Sequence, residues 1–357
     1  MRKKAIAGIS LALIAGAAHA DDSSSVTLYG ILDAAVGTIE HSGNASASFP
    51  ATVNPVSKVG VGTPNSVTGM FNGGISDSRW GIRGNEDLGG GWSAFFDLES
   101  GFNVPTGQVN NAAASIASGN KNSFGAASAL SGQLFNRGAY VGLRNDQYGS
   151  LALGRTPTLG LDTLANYDPL FTAQLFSPLG FSGSYSAGGI TEGSRTDNNI
   201  KYTNKIGDVN VGLSYSLGGQ AGSFSAGETY GANLGYETHN LGVQAVYYAA
   251  RDAVHSGAIV GSTVAGNVGN LSLADDQGFL LAAKYSIGAL TLKGGYEHYE
   301  LSRPSDPSVY NTSANGYSYY GYAGTLIPMA YAQVSNVYFL GGDYKITPAF
   351  DVAAGVY

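Results

Sequence analysis

The chain contains no cysteine in 357 residues, which excludes a disulfide framework, a thiolate nucleophile and any cysteine-held metal. Charged side chains make up only 12% of it and carry a net charge of -7, an acidic balance that speaks against nonspecific nucleic-acid binding. Beyond residue 20 no stretch approaches the roughly 20 apolar residues that a membrane helix needs. A membrane crossing, if there is one, falls to strands closed into a barrel, where every backbone group is satisfied without water. The five histidines, His19, His41, His239, His255 and His298, show no metal-ligand spacing. No nucleophile elbow or P-loop occurs either. The sequence therefore reads as a protein without an enzyme's constellation, a cofactor or a metal.

What is abundant is glycine, at 53 residues, and tyrosine, at 23. Together they suggest many short strands and tight turns. The first twenty residues stand apart: Arg2, Lys3 and Lys4, an apolar run to Ala17, then Ala18, His19 and Ala20. This is the pattern of a secretory signal peptide, with cleavage expected after Ala20. Its loss takes three basic residues with it and moves the formal charge from -7 to -10. The expected domains are residues 1–20 as signal and 21–357 as one β domain.

Strand pairs follow one another with short turns inside each pair and long polar stretches between pairs. After a first strand in 25–40, hairpins are expected in 76–100, 136–155, 198–217, 230–250, 278–300 and 337–357. The segments 41–75, 103–133, 253–275 and 302–330, rich in Gly, Ser, Ala and Asn, read as long loops. Within the hairpins the alternation is two-sided. Trp80 and Ile82 oppose Arg79 and Arg83, Phe96 and Leu98 oppose Asp97 and Glu99, and Ile200 and Tyr202 oppose Asn199 and Lys201. A soluble sandwich would turn the apolar side to a core; a membrane barrel turns it to lipid and the charges to a wet pore.

The stretches "VTLYGILDAAV", "SRWGIRGNEDLGGGWSAFFDLESGFN", "FNRGAYVGLRNDQYGSLALGRTPT" and "NNIKYTN" closely resemble the trimeric general porins of beta-proteobacterial outer membranes. The resemblance runs from Val26 to the end of the chain. It implies a transmembrane antiparallel β-barrel of about 16 strands, three barrels associated as a homotrimer in outer-membrane lipid, and a third loop folded inward to narrow each pore. The chain departs from that pattern in having about 13 strands, where such barrels carry an even number. Its end after "YKITPAFDVAAGVY" reads as a C-terminal truncation.

The resemblance further implies passive diffusion of small hydrophilic solutes and ions, through a constriction whose charges set selectivity. Arg79 and Arg83 fall on the wall of the second strand, Arg137 opens the fourth, Arg155 ends the fifth, and Arg195 or Lys201 lies on the sixth. Parity sends Arg79, Arg83 and Lys201 inward. Arg137 and Arg155 share parity with Val141 and Leu153, toward lipid, where charge costs about 2 to 4 kcal/mol at mid-membrane. Each is therefore expected beyond its regular strand or at a bulge. The inward loop is expected at 156–180, with Asp162 and Asp168 facing the basic wall across the pore or, alternatively, capping turns. A weak to moderate anion preference follows from these groups. Alternatives are a substrate-specific porin using Tyr29, Tyr140 and Tyr185, or a non-channel surface protein such as an adhesin.

Overall fold

The computed structural model describes residues 13–14, 24–41, 65–109, 134–173, 177, 194–218, 224–255, 272–305, 317–319, 322–324 and 332–357. The long strands, numbered along the chain, begin with β1 (Ser24–Leu32). A detached hairpin of β2 (Ala34–His41) and β3 (Asn65–Asn72) follows. Then come β4 (Arg79–Gly89), β5 (Trp92–Asn103), β6 (Gly138–Asn145) and β7 (Gly149–Pro157), the helix α1 (Leu159–Tyr167), β8 (Arg195–Ile206) and β9 (Val209–Ser216). The rest are β10 (Thr229–Glu237), β11 (Leu241–His255), β12 (Ser272–Ile287), β13 (Leu290–Ser302), β14 (Gln333–Thr347) and β15 (Phe350–Val356).

All of these strands except β2 and β3, thirteen in number, form one sheet in chain order, each antiparallel to the next. Two further members are only two residues long: Leu13–Ile14, beside Ile31 and Leu32 at the edge of β1, and Gln108–Val109, beside β5. Among the described residues β15 forms the opposite edge of the sheet.

Connections are segregated by rim. The pairs β4–β5, β6–β7, β8–β9, β10–β11, β12–β13 and β14–β15 close through two or three residues. Gly207 and Gly288 occupy the left-handed region in two of these turns, at φ 60° and 61°, as tight hairpins require. The strand ends that lead into the long connections lie on the other rim, the arrangement of an outer-membrane barrel.

The two faces differ as the alternation dictates. Val26, Leu28, Val141, Leu143, Leu151, Leu153, Leu213, Leu234, Leu281 and Leu340 are all exposed on the outside, where a bilayer would take them out of water. Near the short turns the outside is aromatic. Trp92 stacks on Tyr148 with ring centroids 6.0 Å apart, and the Tyr202 hydroxyl donates to the Tyr148 carbonyl at 2.9 Å. Tyr236, Tyr285, Tyr344 and Phe350 are exposed close to the same rim, as in a membrane-interface girdle. On the inside, register aligns Arg83 with Asp97, Asp97 with Tyr140, and Lys201 with both Ala152 and Ser214.

The sheet wraps around α1, which touches β9 to β13. Leu159, Leu164 and Tyr167 of the helix join Val246, Leu280, Ala282, Val337 and Phe339 in one buried cluster. The 3.6-residue period puts Leu159, Thr163, Leu164 and Tyr167 on a single buried face. Thr158 caps the start, its hydroxyl accepting from the Leu161 amide at 3.1 Å, and Asp162 sits in the first turn, where a carboxylate suits the helix dipole. Gly295 makes room for this interior, because a Cβ there would run into the Phe339 ring and lie 2.6 Å from the Leu281 carbonyl.

The structure revises the first strand and the first long loop. The expected strand at 25–40 breaks at Asp33, which is buried. Its carboxylate accepts from the amides of Gly74, Ile75 and Ser76 at 3.1, 2.8 and 2.7 Å, and its own amide donates to Ser78 Oγ at 2.9 Å. Four hydrogen bonds to one residue turn the chain out of the sheet and bring it back. Beyond that corner, β2 pairs with β3, a strand inside the stretch 41–75 that its polar composition marks as loop. The expected signal peptide, apart from Leu13–Ile14, lies outside the described residues, as does Tyr185.

Candidate functional site

Alternation carries the charges of β4 to β8 to the inner face, and two local departures bring further arginines to the same wall. Arg137 lies one residue before β6, and its amide donates to the Glu99 carbonyl at 3.1 Å. Arg155 lies within β7, beside a bulge. Thr156 faces Thr196 while Gly154 faces Asn199, so two residues of β8 oppose Arg155 alone. Gly154 at φ 137° and Asn198 at φ 52° absorb the distortion. Both guanidinium groups are thereby released from the outward parity of Val141 and Leu153.

The result is a ladder of ion pairs across adjacent strands. Arg79 Nε lies 3.3 Å from Glu99 Oε2. Arg137 bridges two carboxylates, with Nε 2.6 Å from Glu99 Oε1 and Nη1 2.7 Å from Asp77 Oδ2. Arg155 Nη1 is 2.7 Å from Asp197 Oδ1, and its Nε donates to the Asn136 carbonyl at 2.8 Å. Arg195 is buried and donates to the Arg137 carbonyl at 2.9 Å and to Ser194 Oγ at 3.1 Å.

Two arginines stand apart from this ladder. Arg83 and Arg144 are both exposed on the inner face, and neither makes an ion pair among the described residues. The Arg83 guanidinium lies 5.1 Å from the centre of the Tyr29 ring, and that of Arg144 4.8 Å from Phe95. The Tyr29 hydroxyl donates to Asp97 at 3.2 Å and Glu99 at 3.1 Å. A ring pinned in this way holds the cation by its face and leaves the fork of donors open to the lumen.

Lysines on both sides of the bore join the sheet to the inward segment. Lys201 pairs with Asp162 and donates to the Pro157 carbonyl at 2.9 Å. Lys284 Nζ lies 2.6 Å from Glu237 and 5.1 Å from the centre of the Tyr167 ring. Burial, and then the Glu237 carboxylate, pushes the Tyr167 phenol up to about 12. Lys293 is buried, with Nζ 3.7 Å from the centre of the Phe171 ring, 3.5 Å from Asp343 and 3.4 Å from the Asp168 carbonyl.

The two loop carboxylates are placed differently. The Asp162 side chain is 43% exposed beside Lys201. Asp168 is 0% exposed. It ends α1, accepts from the amides of Leu170 at 3.2 Å and Thr172 at 2.6 Å, and takes the Tyr357 hydroxyl as a further donor. Asp168 thus caps a turn, and of the two carboxylates Asp162 is the accessible one. Beneath α1 a polar recess of about 420 Å³ is lined by Arg144, Asp162, Lys205, Asn210, Asn233 and Glu237, among others. Among the described residues no His, Cys, Asp or Glu cluster could hold a metal ion.

Sequence reasoning passed over Arg144, Asp77 and Asp197 as wall residues. For Arg144 the signal was present, since it shares even parity with Tyr140. Asp77 and Asp197 lie at irregular backbone, where alternation carries no information. Asp97 and Glu99 were legible as inward by parity, but not as the partners of Tyr29 and the arginines.

Comparison with known proteins agrees with this architecture. A family profile described as Gram-negative porin matches residues 7–357. An outer membrane porin protein of Bordetella pertussis is 34% identical over 206 residues, 58% of this chain and 44% of that protein, so the match spans less than half of that relative. Outer membrane porin protein 32 of Delftia acidovorans is 30% identical over 301 residues, 83% of this chain and 70% of that protein. Among solved structures, an anion-selective porin from Comamonas acidovorans superposes with a TM-score of 0.61 at 22% identity, covering 93% of this chain and 78% of the other.

Proposed function

The chain belongs to the Gram-negative porin family and is an outer-membrane protein, and from that premise we propose that it forms a water-filled channel through which small hydrophilic solutes and ions diffuse, with a preference for anions. The observation that carries the reading is the contrast between neutralised and open cations on one wall. Arg79, Arg137 and Arg155 are each matched by a carboxylate, whereas Arg83 and Arg144 face the lumen on aromatic platforms. An anion passing them meets an attractive potential in a narrow, low-dielectric bore. The nearest loop acid, Asp162, is offset by Lys201. The constriction is accordingly assigned to Arg79, Arg83, Arg137, Arg155, Arg195, Lys201 and Asp162, to which Arg144 is added. Asp168 acts by shaping the segment that narrows the bore.

The transport is passive and involves no covalent step. The chain assembles as a homotrimer through its apolar exterior. The supporting feature is an apolar depression of about 580 Å³ across the outside of β1 and β4 to β7, lined by Val26, Phe96, Val141, Leu143 and Leu153 among others. Processing after Ala20 removes Leu13–Ile14 from the edge of β1 and frees that edge for another strand.

Planar-bilayer recording under a salt gradient tests the reading. Conductance steps in groups of three, with a reversal potential of anion-selective sign, are expected. Silent membranes from correctly folded protein would overturn the channel, and a cation-selective sign would overturn the assignment of Arg83 and Arg144.

A further inference from the structure

The inward segment rests on the wall through more than apolar contact. At the two ends of α1 the wall residue directly beneath is glycine. Gly212 of β9 underlies Leu159, and Gly242 of β11 underlies Tyr167. An ideal Cβ on Gly212 would lie 2.9 Å from Leu159 Cδ2, and one on Gly242 would lie 2.8 Å from both Tyr167 Oη and Lys284 Cε. Neither glycine has the positive φ that would demand glycine for backbone reasons. Space is therefore the only thing their missing side chains provide. Between the two ends, Val246, Leu280 and Ala282 fill the interface with side chains in the ordinary way.

We infer that Gly212 and Gly242 are calibre-determining residues, which fix how closely α1 lies against the wall and hence how wide a passage remains beside it. The inference rests on the channel reading above. Carbon atoms settle at about 3.5–4.0 Å, so a methyl group at either position would lift its end of the helix by roughly 1 Å, unless the facing side chain gives way. That movement is toward the lumen, because the wall is behind it. At Gly242 the escape is limited: Lys284 is held by Glu237 at 2.6 Å and by the Tyr167 ring. At Gly212 the Asn233 amide also crowds the site, but it is the end of a flexible side chain and can swing aside.

The test is the unit conductance of the full chain in bilayers, together with the cut-off for uncharged sugars in liposome swelling. Gly212→Ala and Gly242→Ala are expected to lower both, and Gly242→Val to lower them further. Gly231→Ala serves as the control, since its Cβ would meet the Tyr247 carbonyl at 3.0 Å and no atom of α1; it leaves both unchanged. Loss of conductance through misfolding is separated by second-site relief. Tyr167→Phe removes one of the two atoms that Gly242→Ala would strike, leaving Lys284 Cε, and that hydroxyl has no hydrogen-bond partner among the described residues. The pair Gly242→Ala with Tyr167→Phe is expected to regain conductance, as is Gly212→Ala with Leu159→Ala. A conducting parent whose glycine variants all match it would overturn the inference alone, and so would single variants that lose conductance without relief by either partner change. A silent parent would remove the channel reading beneath it.

Discussion

On β4 to β8 the inward side chains are arginines and carboxylates that pair from strand to strand, each keeping 6–21% of its side chain exposed. On β11 to β14 the inward face carries Val246, Leu280, Ala282, Val337 and Phe339, closed over by α1. One alternation thus serves two ends. Where the inner residues of β4 to β8 are charged they pair with one another; where those of β11 to β14 are apolar they become the bed of α1. The two regions should fail in different ways, the apolar one by losing stability and the charged one by changing selectivity, with stability following only where an ion pair is broken.

The largest effect is expected on the apolar side. Leu164→Ala empties a fully buried position in the cluster and should cost about 2–5 kcal/mol. The check is the temperature at which the folded protein loses its electrophoretic mobility shift, with noisier conductance as the channel counterpart. Next comes Glu99→Gln, which leaves Arg79 and Arg137 short of a counter-ion. Breaking a buried pair costs 3–5 kcal/mol. At a wall position that is still 18% exposed, water reduces this to about 2 kcal/mol. The same melting assay reads it, and the reversal potential should move further toward anions.

Arg83→Ala with Arg144→Ala should leave the melting temperature nearly unchanged and act on permeation. A unit charge met at about 4 Å in water is worth about 1 kcal/mol, roughly a fivefold change in the anion-to-cation permeability ratio. An unaltered ratio would break the division between the two walls. The smallest effect separates the two loop acids. Asp168→Asn should cost about 1 kcal/mol through weakened hydrogen bonds without moving the reversal potential. Asp162→Asn should move it slightly toward anions. The opposite assignment would return Asp168 to the lumen.

The six hairpins were legible because their signals are local and redundant: period-two alternation, a tight turn, and aromatics near the turn. The corner at Asp33 was not, since its cause is a carboxylate satisfied by amides about forty residues away. Arg137 and Arg155 illustrate a useful partial failure. Their parity pointed to lipid, and the cost of that placement was itself the evidence for an irregularity; one lies outside its strand and the other beside a bulge. The helix went unread, although Thr158, Asp162, Leu164 and Tyr167 carry a cap and one apolar face. Nine residues are too few for periodicity to stand out from a turn-rich loop. The glycines beneath the helix could not have been singled out from 53, because what distinguishes them is a neighbour far away in the chain.

The position of α1 in the chain also bears on the order of assembly. The helix is synthesised between β7 and β8, while most of the apolar surface that covers it arrives with β11 to β14, about 80 to 180 residues later. Until then Leu159, Leu164 and Tyr167 lack their cover, and an isolated nine-residue helix is too short to persist in water. Burial of α1 therefore depends on contacts between distant parts of the chain, which form slowly. An intermediate holding only the early hairpins would leave Leu159, Leu164 and Tyr167 without the bed that β11 to β14 supply.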